Sequence, residues 1–358
     1  MGDVPAVMTA AYITEHGGAD DIMVGELPVP ALGATDVLVR VQALAVNHVD
    51  TFVRSGAYPT HTPFPFIIGR DLAGTVVAHG SGVSEFHPGD RVWCNSLGHH
   101  GRQGSFARYA SVPVERLYQL PDSVSAADAV SVVHPAATAH LGLFREGRLR
   151  AGDTLVVTGA AGAVGSAVVQ IAAAAGARVI ATASNRDADW CLSLGAHTVI
   201  DYNRPDLADA IADAAVGGVN LFWDNTGVND IESMLPVLAD GARIIVMAGL
   251  NSRPQVALGK LYTRDISIHG FVISNASVSD LADAATLINR LLTDGRLRSR
   301  IAATLPLADA AHAHRLQESR GIDRPRGRIV VLPEGDIGRP LRSGQSSTAQ
   351  QPGLPDRT

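Results

Sequence analysis

Apolar and polar positions alternate in two textures along the chain. Up to about residue 122, short β-branched runs are separated by polar and turn residues. Asp36-Val37-Leu38-Val39-Arg40-Val41-Gln42-Ala43 mixes alternating and continuous apolar positions, and Gly74-Thr75-Val76-Val77-Ala78 stops at Gly80-Ser81-Gly82; both predict strands. Pro88-Gly89-Asp90 predicts a turn into Arg91-Val92-Trp93, and Gly98 to Gly104, with His99, His100 and Arg102, reads as a polar loop suited to the border of a cleft. From Ser125 the spacing becomes that of an alanine-rich helix. Strand–helix units follow at Thr154 to Gly176, Arg178 to Gly195 and Thr198 to about Ala215, then strands at Asn220–Asp224 and Gly241–Val246. This alternation predicts an α/β fold with a parallel sheet covered by helices on both faces. Leu281 to Leu292 predicts an amphipathic helix and Gly327 to Val331 a closing strand, while residues 334–358, rich in Gly, Ser, Gln and Pro, predict a disordered tail.

One unit carries chemistry. Thr154-Leu155-Val156-Val157 runs into Thr158-Gly159-Ala160-Ala161-Gly162-Ala163-Val164-Gly165, then into a small-residue helix and the strand Arg178-Val179-Ile180-Ala181. Strand, glycine turn, helix and strand is the setting of a dinucleotide-binding loop, although Ala160 replaces the first glycine of the usual G-x-G-x-x-G. Gly162 lets backbone approach a pyrophosphate, Gly165 lets helix and strand pack closely, and the helix N-terminus offers free N–H groups to the phosphates. Ala161, Gly162, Ala163 and Val164 are therefore cofactor-binding candidates. The next strand ends Thr182-Ala183-Ser184-Asn185-Arg186, with no acid until Asp187. Ser184 and Arg186 suit a ribose 2′-phosphate and favour NADPH. Arg186 as a solvated charge is the competing reading, and Asp187 and Asp189 keep NADH open. Tyr202 is placed to close over the adenine side.

The chain has 358 residues and a formal net charge of −6, enough length for two domains and no electrostatic reason to expect nucleic acid. No apolar run is long enough to span a bilayer, and the first residues lack a signal-peptide core. Two cysteines, Cys94 and Cys191, supply neither a disulfide framework nor a four-cysteine zinc site. A cytoplasmic location is the expectation.

Four stretches carry a family likeness: Asn47-His48-Val49-Asp50-Thr51-Phe52-Val53-Arg54-Ser55-Gly56-Ala57-Tyr58-Pro59, Gly69-Arg70-Asp71-Leu72-Ala73-Gly74, Pro88-Gly89-Asp90-Arg91-Val92, and the glycine turn with Ser184 and Tyr202. With these the chain, from about Ala10 to Leu332, resembles the zinc-independent quinone oxidoreductases of the medium-chain dehydrogenase/reductase superfamily. The resemblance implies a GroES-like catalytic domain (residues 1–122), an inserted Rossmann domain (123–266) and a C-terminal part returning to the catalytic domain (267–333), with the active site between domains. It also implies a homodimer or homotetramer joined along the Rossmann sheet edge near Ser267 to Ile273, a run that reads equally well as a simple internal strand.

Zinc-using relatives carry ligands where this chain has Asn47 and Gly69-Arg70-Asp71. An amide and a guanidinium do not ligate zinc, so no metal is expected; His99, His100 and His134 are the residual candidates. What remains is hydride transfer from a nicotinamide to a quinone or an α,β-unsaturated carbonyl, with hydrogen-bond donors stabilising the oxygen on which charge develops. The resemblance nominates Asn47 and Tyr58 as these donors. Their competing roles are a turn-stabilising amide and a ring packed on Pro59. Phe52 stands where close relatives often have tyrosine, Asp50 is expected to hold local structure, Arg54 to be a surface charge and His48 a packed side chain. Thr138, Asn225, Gly249 and Arg328 are further cofactor contacts by position. A non-catalytic NADPH-binding protein and an enoyl-thioester reductase are the alternative functions; for the latter, Arg102, Arg108 and Arg145 are scattered candidates for a basic approach surface.

Overall fold

The computed structural model describes residues 4–333. The tail expected over 334–358 lies outside the described residues.

The N-terminal part is a run of strands: β1 (Val7–Ile13), β2 (Met23–Pro28), β3 (Asp36–Ala45), then helix α1 (His48–Ser55), β4 (Phe66–Ile67), β5 (Asp71–His79), β6 (Arg91–Cys94), β7 (Tyr109–Pro113) and β8 (Tyr118–Gln119). Helix α2 (Ala126–His140) leads out of it. Alternating units follow: β9 (Thr154–Thr158), α3 (Ala163–Ala174), β10 (Arg178–Ala183), α4 (Ala188–Ser193), β11 (Thr198–Asp201), α5 (Leu207–Ala214), β12 (Val219–Asp224), α6 (Ile231–Met234), β13 (Leu238–Val246), α7 (Leu258–Tyr262) and β14 (Ser267–Gly270). The chain closes with α8 (Val278–Thr293), β15 (Ile301–Pro306), α9 (Ala310–Glu318) and β16 (Arg328–Leu332).

Strands β9 to β14 form one six-stranded sheet in the order β11-β10-β9-β12-β13-β14, with every neighbouring pair parallel. Its central strand, Thr-Leu-Val-Val-Thr, is buried on both faces, which is why it reads as an unbroken apolar run. The order reverses between β9 and β12, so the carboxyl ends of these strands frame the crevice in which open α/β sheets bind ligands.

The catalytic sheet runs β15-β16-β3-β5-β6-β8, and opposite β5 the edge of β3 pairs with β7 over Asp36–Arg40 and with β16 at Leu44 and Ala45. Strands β15 and β16 return to it after the parallel sheet is complete. The return comes later than a boundary at 266 implies, because Ser267–Gly270 pairs in parallel with β13 and the chain rejoins the catalytic sheet only at Ile301.

Helix α2 joins the two halves. It is buried from Ala129 to Ala139, and one continuous core contains Ala43, Ala73 and Trp93 of the catalytic sheet beside Leu155 and Val157 of the parallel sheet and Ala167 of α3. Helix α8 covers it with Leu281, Ala284, Ala285, Ile288, Leu291 and Leu292, one face at three- and four-residue spacing. Ser277 caps this helix by accepting from the Asp280 N–H at 3.1 Å. Among the described residues no helix is long and apolar enough to cross a membrane.

Candidate active site

The glycine turn occupies the carboxyl end of β9. Gly159 adopts φ +63°, a conformation that favours glycine, and Gly162 precedes the first residue of α3. A Cβ on Gly165 would lie 2.3 Å from the Gly159 carbonyl oxygen and 2.7 Å from Ala160 Cα, so only glycine permits this approach. Ala161, Gly162, Ala163 and Val164 are all partly open at this helix start. The turn therefore fits a dinucleotide pyrophosphate, with small residues where side chains would fill the cradle.

The neighbouring strand ends supply the other nucleotide candidates. Ser184 follows β10 and Tyr202 follows β11, the latter 52% exposed. Asn225 follows β12, but its amide is already engaged: Nδ2 donates to the Thr158 carbonyl at 2.9 Å, and Oδ1 accepts from Trp223 Nε1 at 2.9 Å. Asp224, buried, organises that loop by accepting from the Thr158 hydroxyl at 2.7 Å and the Asn229 N–H at 2.8 Å. Gly249, at φ +81°, follows β13 and lies against Gly227, whose Cβ would sit 2.5 Å from the Gly249 nitrogen. All these loops sit at one edge of the sheet.

Beside Ser184 lies a cluster that sequence reasoning missed. Asp187 Oδ1 accepts from Arg300 at 2.9 Å and from Arg326 at 2.5 Å, and Oδ2 accepts from the Ser184 hydroxyl at 3.0 Å. Burial pushes the Asp187 carboxyl up, but hydrogen bonds from Arg326, Arg300 and Ser184 outweigh it and hold the group below its ordinary range. Arg300 also lies over the Trp190 ring, 4.8 Å from its centroid. Arg186 is exposed beside the cluster. Arg300 and Arg326 arrive from more than a hundred residues away, so no local pattern announces them.

A second cluster lies in the catalytic domain. Asn47 caps α1 with its backbone, which donates to Asp50 Oδ2 at 2.8 Å. Its side chain donates to Asp71 Oδ2 at 2.8 Å and accepts from Arg328 Nη2 at 2.7 Å. His134 Nδ1 lies 3.2 Å from Asp71 Oδ1. Four residues on, Thr138 spends its hydroxyl on the His134 carbonyl at 3.0 Å. Arg70 is 2% exposed, and Asn47, Asp50, Asp71, His134 and Arg328 are buried with it. Two guanidiniums thus face two carboxylates in a dry region, a balance of formal charge. Burial, reinforced by the Asp71 charge, pushes Asp50 up to about 6. Burial also pushes Arg70 and Arg328 down, opposed by those same carboxylates.

Tyr58 is half-buried at the end of α1, its ring 5.8 Å from that of His99. His99 Nδ1 lies 2.9 Å from the Thr60 hydroxyl, and burial, then the charge of Arg70, pushes its imidazole down to about 4.

Two expected surroundings are corrected here. Arg54 is not a surface charge: it is 2% exposed and bonds the Gly17 carbonyl at 3.2 Å and Glu318 at 2.5 Å, tying α1 to α9. His48 is not packed inside; it is exposed and stacks on the Phe52 ring at 6.5 Å. The Arg328 side chain stands in the Asn47 network, while its N–H donates to the Arg300 carbonyl at 2.7 Å and Arg300 in turn reaches the Ala161 carbonyl of the glycine turn at 3.5 Å.

Comparison with known proteins places this geometry. The alcohol dehydrogenase GroES-like domain family matches residues 33–122, and the zinc-binding dehydrogenase family matches residues 163–290. The quinone oxidoreductase of Mus musculus is 31% identical over 314 residues, covering 86% of this chain and 93% of its own. The chain belongs to the quinone oxidoreductase family of the medium-chain dehydrogenases/reductases. A solved quinone oxidoreductase from Pseudomonas syringae pv. Tomato superposes with a TM-score of 0.80 at 27% identity, covering 91% of this chain and 100% of its own. A solved NAD-dependent alcohol dehydrogenase gives a TM-score of 0.82 at 32% identity, covering 91% of this chain and 99% of its own. This family member is an oxidoreductase of the pyridine-nucleotide type, built from GroES-like and Rossmann parts.

The second family's description raises zinc, and the donors around Asn47 test the fit. His134 and Asp71 are ligand types for zinc; Asn47, Arg70 and Arg328 are not. Among the described residues no three His, Cys, Asp or Glu side chains are grouped to hold a metal. This cluster does not suit the ion.

Proposed function

We propose that the protein is an NADPH-dependent, zinc-independent reductase of quinones or α,β-unsaturated carbonyls. The observation that carries the cofactor choice is the engagement of Asp187 by Arg300, Arg326 and Ser184. A ribose 2′-hydroxyl needs a free carboxylate acceptor at this strand end. Here both carboxylate oxygens of Asp187 are occupied by Arg300, Arg326 and Ser184. Three guanidiniums, counting Arg186, then stand beside one carboxylate, and the excess positive charge suits a 2′-phosphate. The turn from Ala161 to Val164 holds the pyrophosphate, with the Gly162 N–H itself spent on the Gly159 carbonyl at 3.0 Å, and Tyr202 and Gly249 border the nucleotide.

A bound dihydronicotinamide supplies hydride. The chain supplies orientation and a place for charge. Asn47 is fixed between Asp71 and Arg328, so it positions the floor of the site rather than swinging freely. Tyr58 is the candidate hydroxyl donor, with its ring 5.8 Å from that of His99. The buried cations take the electrostatic role that a Lewis acid plays in metal-using relatives. Assembly as a dimer or tetramer through the exposed edge of β14 completes the reading.

Oxidation of NADPH, followed with a panel of quinones and a panel of enones, tests it. Turnover with at least one panel and a preference for NADPH over NADH is expected. Tight NADPH binding without any turnover would instead favour a non-catalytic nucleotide-binding protein.

A further inference from the structure

Arg70 is a buried cation to which the reading above gives a field and no contact with the acceptor. Its guanidinium is 2% exposed, yet Nε and Nη2 have no hydrogen-bond partner and no access to solvent. An unpartnered buried donor forfeits its hydration without compensation, and a charged one more so. In the working state such a group needs an acceptor, whether water, ion or ligand.

Its surroundings say what kind. Gly69, at φ +93°, turns the chain so that Arg70 faces inward, with the Ser105 hydroxyl and the Phe106 ring against the turn. The loop after β6 wraps around it: the Leu97 N–H donates to the Arg70 carbonyl at 3.2 Å. On that loop His99 Nε2 and Arg102 Nε are also buried and unpartnered, as is the Ser105 hydroxyl. Tyr58 and His99 lie within electrostatic reach of the Arg70 guanidinium. Asp50 and Asp71 balance Arg70 in charge, but neither hydrogen-bonds its Nε or Nη2. Asn95 Oδ1, Asp50 Oδ1 and Asp71 Oδ1 are open acceptors in the same region, yet none of them bonds Arg70; the partner that its free donors call for is an oxygen that carries negative charge.

We propose that Arg70 is a catalytic residue whose guanidinium binds the acceptor's carbonyl oxygen as charge develops on it. This rests on the reading of the chain as an acceptor reductase. Hydride added to the β-carbon of an enone makes the new C–H bond. The C=C electron pair shifts toward the α-carbon, and the carbonyl π pair moves onto oxygen. That enolate oxygen is held by Arg70 until solvent supplies the proton, while the nucleotide leaves oxidised. With a quinone, the same contact holds the oxygen that becomes anionic. A guanidinium serves here because it stays charged and presents donors in a plane matched to an oxyanion.

The test uses the full chain with nucleotide bound. 4-Nitrophenolate, a stable anionic oxygen on a conjugated ring, is titrated and its absorbance band followed. In Arg70→Gln its affinity should fall by at least about tenfold, and kcat/KM for 1,4-naphthoquinone by about 100-fold, the scale for losing an oxyanion donor. NADPH affinity, read by fluorescence, should change less than about twofold. Arg70→Lys, which keeps the charge, guards against a folding failure and should retain part of both signals. Added guanidinium ion should raise turnover in Arg70→Ala and not in the parent. A folded Arg70→Gln with unchanged phenolate affinity and kcat/KM would overturn the proposal and leave Arg70 a structural cation. Phenolate binding that depends on Arg70 in an enzyme that reduces neither quinones nor enones would support this oxygen site while removing the functional reading above.

Discussion

The two charged clusters handle arginine in opposite ways. At the nucleotide end Arg186 and Arg326 stand at the surface, and Arg300 lies over Trp190; together they crowd one carboxylate. In the catalytic domain Arg70 and Arg328 are buried with Asp50 and Asp71, and Asn47 ties Arg328 to Asp71 by fixed hydrogen bonds. Exposed charges are screened and cheap to rearrange, so they suit a ligand that comes and goes. Buried charges are costly to uncouple, so they suit a field that must already be in place when chemistry occurs. The contrast predicts that removing a carboxylate from the inner cluster costs stability, whereas damage to the outer cluster changes affinity alone.

The sharpest break is Asp71→Ala. It strips a partner from Asn47 and leaves two buried guanidiniums facing one carboxylate. A loss of about 3–5 kcal/mol of stability is expected in denaturant titrations. A loss below about 1 kcal/mol would mean that the inner cluster is hydrated and behaves like a surface network. Gly165→Val comes next, since its Cβ would lie 2.3 Å from the Gly159 oxygen. Overpacking there should cost about 1–3 kcal/mol and should abolish measurable NADPH binding. Arg326→Ala removes an outer contact to Asp187. The KM for NADPH should rise about tenfold while that for NADH and the unfolding midpoint barely move. Equal effects on the two nucleotides would remove the phosphate assignment.

The smallest expected effect is a pH dependence at the α1–α9 junction. Burial, then the Arg54 charge, pushes His314 down to about 3. Its folded pKa lies below its unfolded value of 6.5, so its contribution is complete above that value and is lost as pH falls toward 3. His314→Gln should therefore flatten the decline of the unfolding midpoint over that window. An unchanged slope would show that the imidazole is solvated.

Legibility in the sequence divides along the same line. The parallel sheet is written locally: Thr154–Val157, the glycine turn and the small-residue helix specify one another within a few residues. The loops at the strand ends could be placed by counting strands, which is why Ser184, Tyr202, Asn225 and Gly249 fall at one sheet edge. The inner cluster was only half legible. Asn47 and Tyr58 stood out through family resemblance, but the bonds from Asp71 and Arg328 to Asn47 span 24 and 281 residues. Arg54 was misplaced for the same reason, because its partner Glu318 lies 264 residues away. Asn225 was placed correctly at the edge, but its amide is consumed by Trp223 and Thr158, which no pattern of residue types reveals. Hydrogen-bond partners are a property of the folded neighbourhood, so the ties of Asp187 to Arg300 and Arg326 could not be read from its place after β10.

The central claim is hydride transfer from NADPH to an organic acceptor with buried guanidiniums in place of a metal. Its most direct test is the kcat/KM for NADPH and for NADH with 1,4-naphthoquinone, measured on protein dialysed against a chelator and shown to be metal-free. The account predicts undiminished turnover and a preference for NADPH of at least about tenfold. Turnover that vanishes on dialysis and returns with added zinc would contradict it.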